Sequence, residues 1–186
     1  MDHVSSTHDV SPATTAVPAA PRWLDEREQA AWRGMLQMYQ QVMARLNRNL
    51  VVESGLSEGD YAILVSLSEA PEGHLRAFEL ARWLLWEKSR LSHQLTRMER
   101  RGLVRREECP SDARGAFVVI TEAGRTAIEA AAPRHVEDVR HWFLDALSPQ
   151  QLDALSDVAT TVLSRLEADG DGCPEALAAC TGEEQD

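Results

Sequence analysis

Residues 87–106 read EKSRLSHQLTRMERRGLVRR, the most informative stretch of the chain. Leu91, Leu95 and Met98 recur at i, i+4 and i+7, which puts them on one face of a helix. Ser89, Ser92, His93, Thr96, Arg97 and Arg100 fall on or near the opposite face. Gly102 follows directly and suits the left-handed residue that commonly ends a helix. The expected helix runs from Glu87 to Arg101. One apolar stripe docks such a helix on its own domain, and the other face is free to meet base edges in the major groove. Ser89 and Ser92 are short enough for close approach. Arg90 and Arg97 carry the fork that pairs with guanine, and His93 can donate or accept.

On the C-terminal side, Leu103-Val104-Arg105-Arg106 and Gly115 to Ile120 read as two strands. The connection from Glu107 to Arg114 holds Pro110, Ser111 and Asp112, so a hairpin with a basic-tipped loop is expected. On the N-terminal side, Ser57-Glu58-Gly59-Asp60 resembles a capping box and opens a helix through Tyr61, Ile63, Leu64 and Leu67. Pro71-Glu72-Gly73 ends that helix, His74-Leu75-Arg76 reads as a short strand, and Phe78 to Leu85 as a short third helix. A long first helix is expected from near Trp23 to Val52, with Gly55 as its stop. Thr121 caps a fifth helix running towards Leu147, with Pro133 expected to kink or interrupt it. Ser148-Pro149-Gln150-Gln151 starts a sixth. The fold class is mainly α with a small β-wing: a winged helix-turn-helix domain plus N- and C-terminal dimerisation helices. The long outer helices exceed what one small core can cover, so their apolar faces are expected to meet a second copy.

The chain has 186 residues, 44% hydrophobic and 26% charged, as one soluble domain with tails requires. Residues 1–22 read as a disordered arm and 169–186 as an acidic, flexible tail. The domain spans 23–168, with the winged helix at about 56–122 and dimerisation helices at about 23–52 and 123–168. No window is long and apolar enough for a membrane span, and the N-terminus does not read as a secretory signal. Cys109, Cys173 and Cys180 are too few and too odd for a disulfide framework, so a cytoplasmic location is expected. The formal net charge is −11, yet residues 87–106 hold seven bases against Glu87 and Glu99, a local balance of +5. A basic island in an acidic chain marks a DNA binder that avoids non-specific contacts; the competing reading is a solvated helix face.

The run Leu95 to Arg106, then Ser111-Asp112-Ala113-Arg114, then Val119-Ile120-Thr121-Glu122-Ala123-Gly124-Arg125, resembles the signature of MarR-type transcriptional regulators. Met98 and Ile120 stand where that pattern more often has Leu, both mild exchanges. The resemblance covers roughly residues 24–168. It implies a homodimer whose terminal helices interlock and whose two winged helices meet a palindromic operator in double-stranded DNA. By position, Ser89, Arg90, Ser92, His93 and Arg97 face the major groove, Arg114 reaches the minor groove, and Asp112 braces the wing. The alternative for Asp112 and Arg114 is that they only brace each other. Trp83 and Trp86 depart from the pattern and read first as core or hinge residues. They also lie near the effector region the resemblance implies, and with Met35 and Tyr39 would line an apolar pocket for a small aromatic effector.

Other chemistry finds less support. His135, Glu137, Asp138 and His141 are the nearest approach to a metal site; Glu137 and His141 fall at i and i+4 on one helical face, but two ligands are not a site. Cys109 stands between Glu108 and Pro110, an acidic setting that disfavours a reactive thiolate. No phosphate loop, zinc-protease or nucleophile-elbow motif occurs, so neither enzyme activity nor a cofactor is expected. A ligand-responsive repressor is the leading expectation. A ligand-independent architectural or activating DNA-binding protein, and a protein-interaction scaffold built on a winged helix, remain the alternatives. Arg114→Ala is expected to weaken binding to any operator, measured by gel shift; wild-type affinity in that variant would refute the wing assignment.

Overall fold

The structure is a computed structural model that describes residues 21–108 and 116–168. The arm up to residue 20, the wing loop with Cys109, Asp112 and Arg114, and the acidic tail from residue 169 lie outside the described residues. The chain divides into two compact units, Met1–Gln37 and Met38–Asp186.

Helix α1, Glu26–Ser54, crosses the boundary between the units. It begins three residues later than Trp23 because Asp25 caps it. Asp25 Oδ1 accepts from Glu28 N at 2.7 Å, and Glu28 Oε2 accepts from Asp25 N at 2.9 Å. In the first unit Trp32, Met35 and Leu36 are exposed along α1.

The second unit holds the core. Leu46 and Leu50 from the end of α1 are buried. Helix α2, Glu58–Glu69, buries Ile63, Leu64 and Leu67. A short 3-10 turn at Pro71–Gly73 leads to β1, His74–Arg76, and to helix α3, Ala77–Trp83. Helix α4 is Lys88–Arg100, with Glu87 and Arg101 as its caps, and Gly102 beyond it has φ +72°. Strands β2, Val104–Glu108, and β3, Ala116–Ile120, form the hairpin. The sheet has three strands in the order β1-β3-β2, all antiparallel. In register, Leu75 faces Val118 on one side of β3 and Arg106 faces Val118 on the other. Being central explains why β3 is apolar throughout and buries Val118, Val119 and Ile120.

Helix α5, Glu122–Trp142, passes through Pro133 without interruption. Of the kink or interruption expected there, the interruption is absent. The helix instead ends at Trp142, and a 3-10 turn at Leu144–Ala146 fills the gap to Leu147. Helix α6, Pro149–Ala168, starts at a reciprocal cap, with Ser148 N donating to Gln151 Oε1 at 2.9 Å and Gln151 N to Ser148 Oγ at 3.3 Å. Every residue of α6 is exposed, including Leu152, Leu155, Val158, Val162 and Leu166.

The entry to α5 accounts for the Thr-x-x-Gly spacing. Thr121 Oγ1 accepts from Gly124 N at 3.0 Å and donates towards the carbonyls of Gly102 (2.6 Å) and Leu103 (3.0 Å). One hydroxyl thus caps α5 and pins it to the end of α4. A Cβ on Gly124 would lie 2.1 Å from Leu103 O, so only glycine permits this approach. Gly124→Ala is expected to destabilise the protein by about 2–3 kcal/mol, the cost of forcing a backbone shift in a packed region, as read by urea denaturation.

Candidate nucleic-acid interface

Helix α4 buries Leu91, Leu95 and Met98 at 3%, 1% and 0% exposure. That anchoring turns Ser89, Arg90, Ser92, His93, Arg97 and Arg100 to the surface, all of them exposed. The five residues expected to face the major groove therefore lie together on one side of one helix.

The turn before α4 is a Schellman closure of α3. Trp86 N donates to Ala81 O at 2.9 Å, and Leu85 N donates to Arg82 O at 3.1 Å. The left-handed residue is Leu85, with φ +52°, where glycine is usual, and its side chain is 71% exposed. This closure aims Trp86 back towards α2. Its ring lies under the Arg90 guanidinium, with Cζ 4.1 Å from the ring centroid.

Gln94 is the polar residue of α4 that sequence reasoning missed, and it is 5% exposed. Its Nε2 donates to Asp60 Oδ1 at 2.7 Å, so its Oε1 is left to accept from Arg97 Nη2. Asp60, 3% exposed, completes the capping box of α2 by accepting from Ser57 N at 2.9 Å. Its Oδ2 also accepts from Arg101 Nη1 at 2.6 Å, while Arg101 Nη2 donates to Gly55 O at 2.9 Å. Burial by itself raises the Asp60 carboxyl, but hydrogen bonds from Ser57 and the adjacent Arg101 outweigh it and hold the group below the ordinary carboxylate value. The only sequence signal was the capping box; nothing local points from residue 60 to residues 94 and 101.

The basic island divides into two sets. Arg101 is held by Asp60, Arg105 pairs with Glu107 at 2.5 Å, and Arg106 pairs with Glu99 at 3.0 Å and donates to Ser92 O at 3.1 Å. Arg101 and Arg106 tie elements of the domain together, whereas the Arg105–Glu107 pair is exposed within β2. Lys88, Arg90, Arg97 and Arg100 lie on the outer face.

Trp83, read as a core or hinge residue, is 36% exposed at the end of α3, and Trp86 is half-buried against the core and Arg90. Met35 and Tyr39 are exposed on α1, at 46% and 60%. The four suspected metal ligands point to different partners. The His135 ring packs 4.4 Å from Tyr61, and burial holds its pKa below the ordinary value. Asp138 accepts from Asn49, Glu137 pairs with Arg134, and His141 meets Trp142 edge-on. Among the described residues no group of three or more His, Cys, Asp or Glu could hold a metal, and no helix is long and apolar enough to cross a membrane.

A buried-stripe helix, the short helix before it and a three-stranded wing together define a winged helix-turn-helix DNA-binding protein. A sequence model of the MarR family matches residues 54–115. Transcriptional regulator HosA of Escherichia coli O111:H- is 30% identical over 134 residues, covering 72% of this chain and 95% of HosA. Among solved structures, AbsC, a MarR family transcriptional regulator from Streptomyces coelicolor, superposes with a TM-score of 0.75 at 42% identity, covering 80% of this chain and 99% of AbsC. Sco3205, a MarR family regulator of the same organism solved in complex with DNA, gives a TM-score of 0.75 at 39% identity, covering 78% of this chain and 92% of that one. The chain belongs to the MarR family of transcriptional regulators, which act by binding DNA and not as enzymes.

Asp60→Asn should lower stability by about 2–3 kcal/mol at neutral pH, because Arg101 loses its buried carboxylate. A carboxyl whose folded value lies below its unfolded one stabilises in full above the unfolded value, and that contribution is lost as pH falls from there through the lower folded value. Thermal melts from neutral pH down to about pH 2 should therefore show a steeper loss below about pH 4 in wild type than in Asp60→Asn.

Proposed function

We propose that this protein is a ligand-responsive repressor that binds a palindromic operator as a homodimer. The observation that carries the proposal is the α4 surface, where Ser89, Arg90, Ser92, His93 and Arg97 are exposed together above a buried Leu91–Leu95–Met98 stripe. In this reading two α4 helices enter successive major grooves about one helical turn apart. Arg90 and Arg97 supply forks for guanine, His93 and the serines contact neighbouring edges, and Arg114 of each wing, braced by Asp112, follows the minor groove. The likeness to Sco3205, solved with DNA, supports the reading.

The dimer is supported by the apolar exposure of α6, where Val158 and Val162 are 60% and 52% accessible, a cost in water that a partner helix would remove. A small aromatic effector completes the proposal. Tyr39 and Trp83 keep accessible rings, whereas Trp86 is engaged by Arg90. The effector relieves repression by binding the DNA-incompetent arrangement more tightly.

Selection from a random duplex library with the full-length chain tests this reading. The expected product is a palindromic duplex, bound by a species of twice the chain mass in sedimentation equilibrium. Arg90→Ala and Arg97→Ala should each weaken that duplex at least about tenfold, as loss of a guanine fork predicts. Recovery of no preferred duplex, or wild-type affinity in both variants, would overturn it.

A further inference from the structure

We infer that Trp86 and Gln94 are positioning residues that preset the Arg90 and Arg97 guanidiniums for base reading, both admitted by the missing side chain of Gly59. The inference rests on the DNA-binding reading above and concerns how that site discriminates sequence.

Arginines on an exposed helix face usually sample many rotamers, and ordering them on binding costs free energy. Here each of the two is held from behind. The Arg90 guanidinium carbon lies 4.1 Å from the centroid of the Trp86 ring, a cation–π contact that restrains the side chain without a hydrogen-bond acceptor taking up its N–H donors. The Arg97 guanidinium gives one N–H to Gln94 Oε1 and keeps its other donors. Gln94 has no freedom to turn its amide over. Its Nε2 is committed to Asp60 Oδ1, and a flipped amide would set oxygen against carboxylate. Gln94 thereby links Arg97 to a carboxylate that sits in the capping box of another helix.

The two supports share one wall. They lie with Ser57, Gly59, Arg90 and Arg97 around a cleft of about 660 Å³ between the first turn of α2 and the exposed side of α4. A Cβ on Gly59 would lie 3.0 Å from Trp86 Cη2 and 3.2 Å from Gln94 Cδ. A glycine inside the first turn of a helix costs stability relative to alanine. At this position it lets the indole and the amide rest against α2. Arg90 and Arg97 are seven residues apart, two turns on the same face, so the two held forks stand side by side along the helix.

Binding of the selected duplex and of a scrambled duplex of equal composition, at two salt concentrations, tests the inference. Trp86→Leu and Gly59→Ala should each weaken the selected duplex about five- to tenfold and leave the scrambled duplex and the salt slope unchanged. Trp86→Phe should retain most of the affinity. Thermal melts of every variant, Gly59→Ala included, separate positioning from folding. Gln94→Leu should behave alike, and its loss should vanish in an Arg97→Ala background, as that of Trp86→Leu should in Arg90→Ala. In the free protein, ring-current-shifted Arg90 side-chain resonances should return to random-coil positions in Trp86→Leu. Equal losses on both duplexes, or undiminished losses in the Arg→Ala backgrounds, would overturn the inference while leaving DNA binding intact. Failure of wild type to select any duplex would overturn both. Should Gln94→Leu fail to fold, the Trp86 and Gly59 variants decide the matter.

Discussion

The buried carboxylate of Asp60 sets the geometry between the start of α2 and helix α4. It accepts from the backbone of Ser57, the amide of Gln94 and the guanidinium of Arg101, so one side chain joins the start of α2 to the middle and the end of α4. Removing a carboxylate from water is expensive, and its attraction to a partner often only offsets that cost. The gain lies in geometry. A helix held by an apolar stripe alone can roll by some tens of degrees with little change in buried area. Two directional hydrogen bonds, from Gln94 in its middle and Arg101 at its end, restrict that freedom. The rotation of α4 decides which residues face outwards, so the exposure of Ser89, Arg90, Ser92, His93 and Arg97 follows from a group that none of them touches.

Thr121 does the corresponding work at the other end of α4. Its hydroxyl bonds the Gly102 and Leu103 carbonyls while capping α5, and Gly124 allows the two backbones to meet. Gly102 itself turns the chain from α4 into β2 with φ +72°. Arg106 then ties β2 back to α4 through Glu99 and the Ser92 carbonyl. The wing is therefore fixed to the helix by polar contacts on one side and by the central, apolar β3 on the other. This is why a three-stranded sheet of such short strands can be ordered, since a two-stranded hairpin alone is marginal in water.

What was legible in the sequence was local or periodic. The caps at Ser57, Thr121 and Ser148 are patterns three residues long, and the structure closes each as expected. The Leu91–Leu95–Met98 stripe follows from helical period alone. Contacts between residues far apart in the chain were not legible. Nothing near Gln94 indicates that it is buried, because its reason is Asp60, thirty-four positions earlier. Trp86 read as a core or hinge residue, and its role as a platform under Arg90 depends on the turn made by Leu85, a residue that rarely adopts positive φ. Pro133 is a local signal of another kind. Its rule predicts a kink or an interruption, and α5 continues through it with Ile128, Ala131 and Asp138 buried.

The charge distribution follows the same division. Counting residues 87–106 suggests a broad basic surface, yet Arg101, Arg105 and Arg106 are each spent on an acid of the same domain. The face left outside is modest in charge and set in a chain of net charge −11. A surface of that kind attracts any phosphate backbone only weakly, since non-specific affinity grows with the number of phosphates neutralised. Discrimination must then come from how well the remaining forks are aimed, because a misdirected guanidinium gains little from the correct base and loses little on the wrong one. In the DNA-binding reading proposed for α4, low charge and held arginines are linked requirements: the fewer the long-range attractions, the more recognition would depend on geometry set by Asp60, Gln94 and Trp86.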